Sequence, residues 1–362
     1  MSFRKNVFVL GAGFSKDAGA KTMDEFFPHA RNLTDDPGSP LPEQDKPTFR
    51  RVIEYRLGLN KALAKVQEDL DNIEKLFGFL EMEVQLSLDG NRKLLEDMKY
   101  VVGRTLEVDT FHALKDTGFN TLPGQLFRGN QYGYFVGLVA GMWNSEKRRE
   151  NYAVDSVITF NYDLVLEREL AEMSILPVYS CGPNASYSQK FGGERNQVSL
   201  LKLHGSLNWA ICRKCNRLYY LRYSQYLVKN LSEHTCEQCR EAISSFLIVP
   251  PTWNKGTEQE FIRHVWSAAL NELKQAGRIF IIGYSFPESD QFFKYMLGSA
   301  LAHNENLVEI VIVNPDEGAW KRFKALFNPY FLQRTVRYIG PGQQGNAAVF
   351  IGQVLHLTRQ VK

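Results

Sequence analysis

The sequence predicts an α/β protein: a doubly wound parallel sheet, an inserted helical subdomain and a small cysteine-held excursion. Three observations carry that reading. Short apolar runs repeatedly end in glycine or small polar residues, helical periodicity fills the stretch 31–150 between the first two runs, and four cysteines form two C-x2-C pairs.

The first run, Asn6 to Leu10, is apolar without alternation, as suits a strand buried on both faces of a parallel sheet. It ends in Gly11-Ala12-Gly13-Phe14-Ser15. Later runs share the layout. Val157 to Phe160 leads into Asn161-Tyr162-Asp163, and Val198 to Leu203 into His204-Gly205-Ser206. Arg278 to Ile282 leads into Gly283-Tyr284-Ser285, and Val308 to Val313 into Asn314-Pro315-Asp316. Ligands of such sheets bind outside the carboxyl ends of the strands. Gly, Ser, Asn and Asp are also ordinary turn residues, but His204 and the pair Asn161/Asp163 are not typical turn fillers.

Between the first and second strands, Pro37, Gly38, Pro40, Pro42 and Pro47 mark an irregular segment. Helical spacing follows at Leu59, Leu63, Val66, Leu70, Ile73, Leu76, Phe77 and Leu80. Further patterns run from Arg92 to Leu106 and from Gln131 to Trp143. A crossover of this length is an inserted subdomain and not a loop.

Apolar residues make up 44% and charged residues 23%, which is ordinary globular usage and excludes a disordered bulk. Lys+Arg 43 against Asp+Glu 40 leaves +3, too balanced for a dedicated nucleic-acid binder. The run Lys147-Arg148-Arg149 reads as a solvated helix face. No stretch has the apolar length of a membrane span. The opening residues run into a strand pattern without a signal-peptide h-region. The expectation is a soluble cytoplasmic protein.

Gly11-Ala12-Gly13 is half of a dinucleotide fingerprint, because Lys16 occupies the position of its last glycine. The turn alone is weak evidence for a nucleotide and speaks against an ordinary hydride-transferring dehydrogenase. Cys212/Cys215 and Cys236/Cys239 present four thiolates at the spacing of a structural zinc site. Disulfides are the alternative, disfavoured in a cytoplasmic chain. A site closed by four protein ligands holds the fold and does no chemistry. Cys181 is left over and reads as a buried small residue.

Taken in order, these motifs resemble the sirtuin superfamily, in particular its bacterial SIR2-like branch. Gly11-Ala12-Gly13-Phe14-Ser15 with Gly19 looks like the family's GAG-x-S turn and following glycine. Thr159-Phe160-Asn161-Tyr162-Asp163 looks like T-x-N-x-D, and Lys202-Leu203-His204-Gly205-Ser206 like the catalytic histidine–glycine pair. The cysteines begin soon after His204, as in zinc-bearing sirtuins. Gly283-Tyr284-Ser285 and Val313-Asn314 resemble the family's later nucleotide turns.

The resemblance implies a Rossmann-like NAD-binding unit (1–30, 151–209 and 244–362), a helical insertion (31–150) and a zinc ribbon (210–243). By resemblance, Gly11, Ala12, Gly13 and Ser15 contact the phosphates and ribose of NAD. Gly283, Ser285 and Asn314 hold the adenosine half, Asn161 and Asp163 lie beside the nicotinamide ribose and carboxamide, and His204 is the general base. The chemistry is independently reasonable. Splitting the nicotinamide–ribose bond builds positive charge at C1′, a carboxamide can position water without adding charge, and an imidazole can accept a proton near pH 7.

The chain also departs from the deacylase pattern. After Gly19 it reads Ala20-Lys21-Thr22-Met23-Asp24, without the family's arginine, and Phe26-Phe27 offer an aromatic cover. Where deacylases carry a peptide-pairing F-G-E strand, this chain has Ile248-Val249-Pro250-Pro251-Thr252-Trp253, and prolines remove backbone donors. The G-T-S-x-x-V-x-P stretch is replaced by Gly283 to Asp290. The expected activity is therefore NAD glycohydrolysis, and the resemblance suggests an anti-phage defence effector. The alternatives are an NAD-dependent protein deacylase and a non-catalytic nucleotide-binding sensor or assembly subunit. Expected partners are NAD and either further copies of the chain or a defence-system protein that gates turnover. No membrane and no direct nucleic-acid contact are expected.

Overall fold

The computed structural model describes residues 5–22, 25–63, 70, 72–86, 91–116, 131–141, 154–187, 196–221, 227–228, 230–243, 245–249 and 259–340. Val66, Trp143, Lys147–Arg149 and Pro250–Trp253 lie outside these residues. The strands are β1 (Lys5–Leu10), β2 (Ser156–Thr159), β3 (Ile175–Val178), β4 (Ala185–Tyr187), β5 (Asn196–Lys202), β6 (Gly205–Cys212), β7 (Arg217–Tyr220), β8 (Ser245–Ile248), β9 (Ala276–Ile282), β10 (Glu309–Val313) and β11 (Val336–Ile339). The helices are α1 (Ala12–Ser15), α2 (Phe26–Asp35), α3 (Lys46–Leu63), α4 (Ile73–Leu86), α5 (Arg92–Asp116), α6 (Gln131–Val139), α7 (Val165–Glu172), α8 (Gln259–Gln275), α9 (Gln291–Ala302), α10 (Glu317–Lys324) and α11 (Pro329–Thr335).

Among the described residues seven strands form one sheet in the order β11-β10-β9-β1-β2-β5-β3, and every pairing in it is parallel. β2, β3 and β5 lie on one side of β1, with β5 returning between β2 and the edge strand β3, and β9 to β11 lie on the other, so the switch point lies between β1 and β9. The apolar runs form the central strands because both sheet faces are covered. Phe8 and Phe280 are register partners and stack at 4.5 Å. Phe135 of α6 meets Phe8 edge-on at 5.3 Å. On α8, Phe261, Val265, Ala269 and Leu273 recur every fourth residue and are all buried.

A second sheet has the order β4-β7-β6-β8; Cys212 ends its strand β6, and Cys215, Cys236 and Cys239 lie in connections between its strands. It shares one hydrophobic core with α2–α5, in which Phe49, Leu76, Phe77, Leu80, Met98 and Val102 pack with Tyr219, Phe246 and Ile248. The sequence reading divides these into a helical insertion and a separate ribbon, whereas the structure joins them as one small lobe. A buried ion cluster crosses that join. Arg104, with no exposed surface, donates to Asp45 at 2.9 and 3.0 Å and to Glu107 at 2.7 Å. The other oxygen of Glu107 accepts the Val228 amide at 2.5 Å.

Several expected boundaries move. The expected break at residue 31 falls inside α2, and the break at 210 falls inside β6. Helix α6, expected in the insertion, packs in the core of the parallel sheet. Pro47 is not in an irregular segment. It occupies the first turn of α3, where a missing N–H costs nothing. The continuous periodicity from Leu59 to Leu80 is divided, because Leu70 lies in a turn and α4 starts afresh after Asn72. The Asn72 carboxamide oxygen accepts the amides of Glu74 and Lys75, a side-chain N-cap.

Candidate functional site

The glycine turn after β1 fits against the turn after β9. Gly11 N donates to Ile282 O and Gly13 N to Gly283 O, both at 3.0 Å. A Cβ on Gly11 would lie 2.5 Å from Gly283 O, and one on Gly13 would lie 2.9 Å from the same atom. Gly283 itself has φ +64, and a Cβ there would lie 2.5 Å from Phe14 N. The glycines are therefore required for backbone-to-backbone packing at the switch point, whatever ligand approaches. Gly13 and Ser285 are exposed at this edge. Asn314 is buried and spends its side chain internally: Nδ2 donates to Tyr284 O and Oδ1 accepts Asp316 N, both at 2.9 Å.

Ser15, Asn161 and Asp163 form one buried network. Ser15 Oγ donates to Asp163 Oδ2 at 2.7 Å and accepts from Asn161 Nδ2 at 2.8 Å. Its remaining lone pair faces the Tyr132 hydroxyl at 2.5 Å, so Tyr132 must be the donor. Asn161 Nδ2 gives its other proton to Gly11 O at 3.0 Å. Both amide protons are thus committed, which leaves Oδ1 as the group of Asn161 that can orient water. Asp163 Oδ1 accepts Val165 N at 3.1 Å and secures the start of α7. Gln131, beside Tyr132, donates to Phe14 O. Helix α6 thus braces the glycine turn, a contribution the sequence reading missed.

His204 follows β5, next to β2 and Asn161 in the sheet. Its carbonyl accepts Val249 N at 2.8 Å, and the preceding Leu203 carbonyl accepts Trp266 Nε1 at 2.9 Å. The ring meets Phe160 edge-on at 5.2 Å, and Tyr284 stacks on Phe160 at 4.2 Å. Burial in this aromatic setting pushes the His204 pKa down, against the opposing pull of Asp290. The imidazole is therefore neutral near pH 7, the form a general base requires. Gly205 turns the chain at φ +88, where a Cβ would lie 2.1 Å from Leu247 O. Gly205→Ala is expected to displace β6 from β8 and lower the thermal midpoint; an unchanged midpoint would refute this reading.

Behind the site, Lys202 Nζ donates to Asp163 O at 2.6 Å and to Glu167 Oε1 at 2.7 Å, with both side chains buried. Burial pushes the Glu167 pKa up, and Lys202 opposes that rise. Removing one partner leaves a buried, unpaired charge. Lys202→Met is expected to cost about 3–5 kcal/mol in denaturant unfolding. Adding Glu167→Leu should recover most of that loss. Equal stability of Lys202→Met and the parent would contradict the assignment.

The four cysteines converge as their spacing predicts. Cys212 Sγ and Cys239 Sγ are 3.3 Å apart, and Cys215 Sγ and Cys236 Sγ 3.5 Å, far beyond the ~2.05 Å of a disulfide. All four sulfurs lie within 4.8 Å of one another. Tyr219 Oη lies 3.2 Å from Cys236 Sγ. Burial works against the Cys236 thiolate, but this hydroxyl and the amides of Cys239 and Gln238 bring its pKa down. The donor set fits one tetrahedral zinc. Cys181 is buried as expected, and burial pushes its thiol up to about 12.

Other charged groups at the site escaped the sequence reading. Asp290 lies 3.5 Å from His204, and Glu74 reaches the same place from α4. Asp290 sat in a stretch legible only as a departure from the deacylase pattern. Glu74 was hidden in an amphipathic helix, where periodicity shows the apolar face only.

Residues 155–334 match the family model of the SIR2-like domain. That SIR2-like domain carries the Asn161 and His204 motifs. Among solved structures, a Sir2 homologue–NAD complex is similar at 16% identity, covering 99% of this chain and 90% of that one, with a TM-score of 0.42. A Sir2 homologue variant bound to ADP-ribose is 15% identical, covering 99% and 93%, with a TM-score of 0.44. Sir2Tm bound to a propionylated peptide is 15% identical, covering 99% and 94%, with a TM-score of 0.42. No curated protein matches the sequence. No described helix is long and apolar enough to cross a membrane.

Proposed function

We propose that the protein is an NAD glycohydrolase that splits NAD into nicotinamide and ADP-ribose with water as acceptor. The observation that carries this is a buried His204 at the end of β5, its pKa pushed down by burial, beside Asn161 at the end of β2. In the proposed reaction the C1′–N bond breaks, and its electron pair neutralises the pyridinium as nicotinamide leaves. A water oxygen bonds to C1′, oriented by Asn161 Oδ1, and its proton passes to His204 and then to solvent. Gly13 and Ser285 lie on the exposed edge proposed to receive the phosphates and adenosine; Gly11, Ala12, Ser15, Gly283 and Asn314 shape that edge, and Asp163 holds Ser15.

Water is favoured over an acylated peptide because the segment after β8 is already engaged. Val249 N donates to His204 O, and prolines 250 and 251 lack amide donors. In the cell we propose a cytoplasmic NAD-depleting role in anti-phage defence, gated by assembly or a partner protein. Incubating NAD with the purified protein should give equal amounts of nicotinamide and ADP-ribose by chromatography. An acylated ADP-ribose obtained only with acyl-peptide would favour the deacylase reading. Tight NAD binding with no product under any condition would favour a sensor.

A further inference from the structure

Asp290 is the N-cap residue of α9, yet its side chain makes no capping hydrogen bond. Its Oδ2 accepts the Tyr284 hydroxyl at 2.6 Å, and its Oδ1 stands 3.5 Å from His204 Nε2. That separation exceeds an ordinary N–H···O bond, for which 2.7–3.2 Å is the usual range, roughly. Among the described residues Nε2 has no hydrogen-bond partner, and the residue is only 4% exposed. A buried ring nitrogen in that condition normally marks a missing partner.

Glu74 completes the arrangement from the small lobe. The Asn72 cap fixes the first turn of α4 and with it the position of Glu74. A Glu74 carboxylate oxygen, a His204 ring nitrogen and an Asp290 oxygen all lie within 4.8 Å of one another, and all three residues are buried. Two ligand atoms on one tetrahedral ion, each with a bond of about 2.1 Å, stand about 3.4 Å apart. The His204–Asp290 separation matches that spacing better than it matches a hydrogen bond. One imidazole and two carboxylates, without sulfur, suit zinc, cobalt or manganese.

We propose that Glu74, His204 and Asp290 form a binding site for one divalent first-row transition ion, separate from the four-cysteine site. The ion ties the first turn of α4 to the strand ends of the parallel sheet. It also occupies His204, so the ion-bound protein is the inactive state; this consequence, unlike the site itself, rests on the NAD-cleaving reading above.

The test titrates Co2+ into protein whose cysteines already carry zinc, followed by visible absorption. The expected result is one Co2+ per chain with ligand-field bands and no thiolate charge-transfer bands. Glu74→Gln and Asp290→Asn, each checked for folding by circular dichroism, should weaken binding at least about 10-fold. No such bands in the parent, or unchanged affinity in both folded variants, would overturn the site. Co2+ should also suppress nicotinamide release by the parent and leave Glu74→Gln turning over as it does without ion. Cobalt binding in a protein that never cleaves NAD would keep the site and refute the functional reading. Cleavage that proceeds unaffected with the site filled would overturn the inactive-state claim.

Discussion

His204→Ala is expected to reduce nicotinamide release from NAD on the order of 10²-fold or more, the usual scale for a positioned acid–base group. NAD binding, read by calorimetry, should survive, because the exposed edge at Gly13 and Ser285 is untouched. The role fits the surroundings of the ring, which is buried beside Phe160 and whose pKa burial pushes down against the pull of Asp290. Asn161→Ala should lower turnover similarly but is the less clean variant. It removes the bonds to Gly11 O and Ser15 Oγ as well as the water-orienting oxygen, so some loss of NAD affinity is expected with it. Turnover unchanged in both variants would remove these residues from the chemistry.

If the four cysteines hold zinc, Cys236→Ser is expected to abolish its binding and unfold the small lobe. Structural zinc contributes roughly 10–16 kcal/mol of apparent binding energy in small zinc domains at pH 7, as much as a typical domain's whole stability, ~5–15 kcal/mol. Here the damage should spread beyond the ribbon. Cys236, Tyr219 and Phe246 share a core with Leu76, Phe77 and Met98 of the helices, so limited proteolysis should cut α4 and α5 early. A variant that keeps its zinc, or loses it with the helices still protected, would contradict the shared core.

Much of the parallel sheet was legible because strands buried on both faces are continuous apolar runs, as Val7 to Leu10 and Ile279 to Ile282 are. The cysteine site was legible because tetrahedral coordination demands a fixed ligand spacing. Strands β3, β4, β6, β7, β8 and β11 were not read as strands. They are short or lie where the sequence mixes polar and apolar residues, as Arg217–Tyr220 does. The candidate site was half legible. Glycines and polar residues at strand ends declare themselves, which exposed Asn161, Asp163 and His204. Tyr132, Glu74 and Asp290 did not, since each reaches the site from a helix, or the turn leading into one, whose pattern reports burial and not chemistry. The glycine turn also carried a second meaning. Its sequence suggested space for a phosphate, whereas the structure shows the same glycines needed for contact with Gly283.

The central claim is that water, and not an acylated lysine, receives the ribose. The most direct measurement is the rate of nicotinamide release from NAD by the purified protein with and without an acetyl-lysine peptide. The account predicts release without peptide, ADP-ribose as the co-product, little change when peptide is added, and loss of release in His204→Ala. Release that depends strictly on the peptide, with acetyl-ADP-ribose as the co-product, would contradict it.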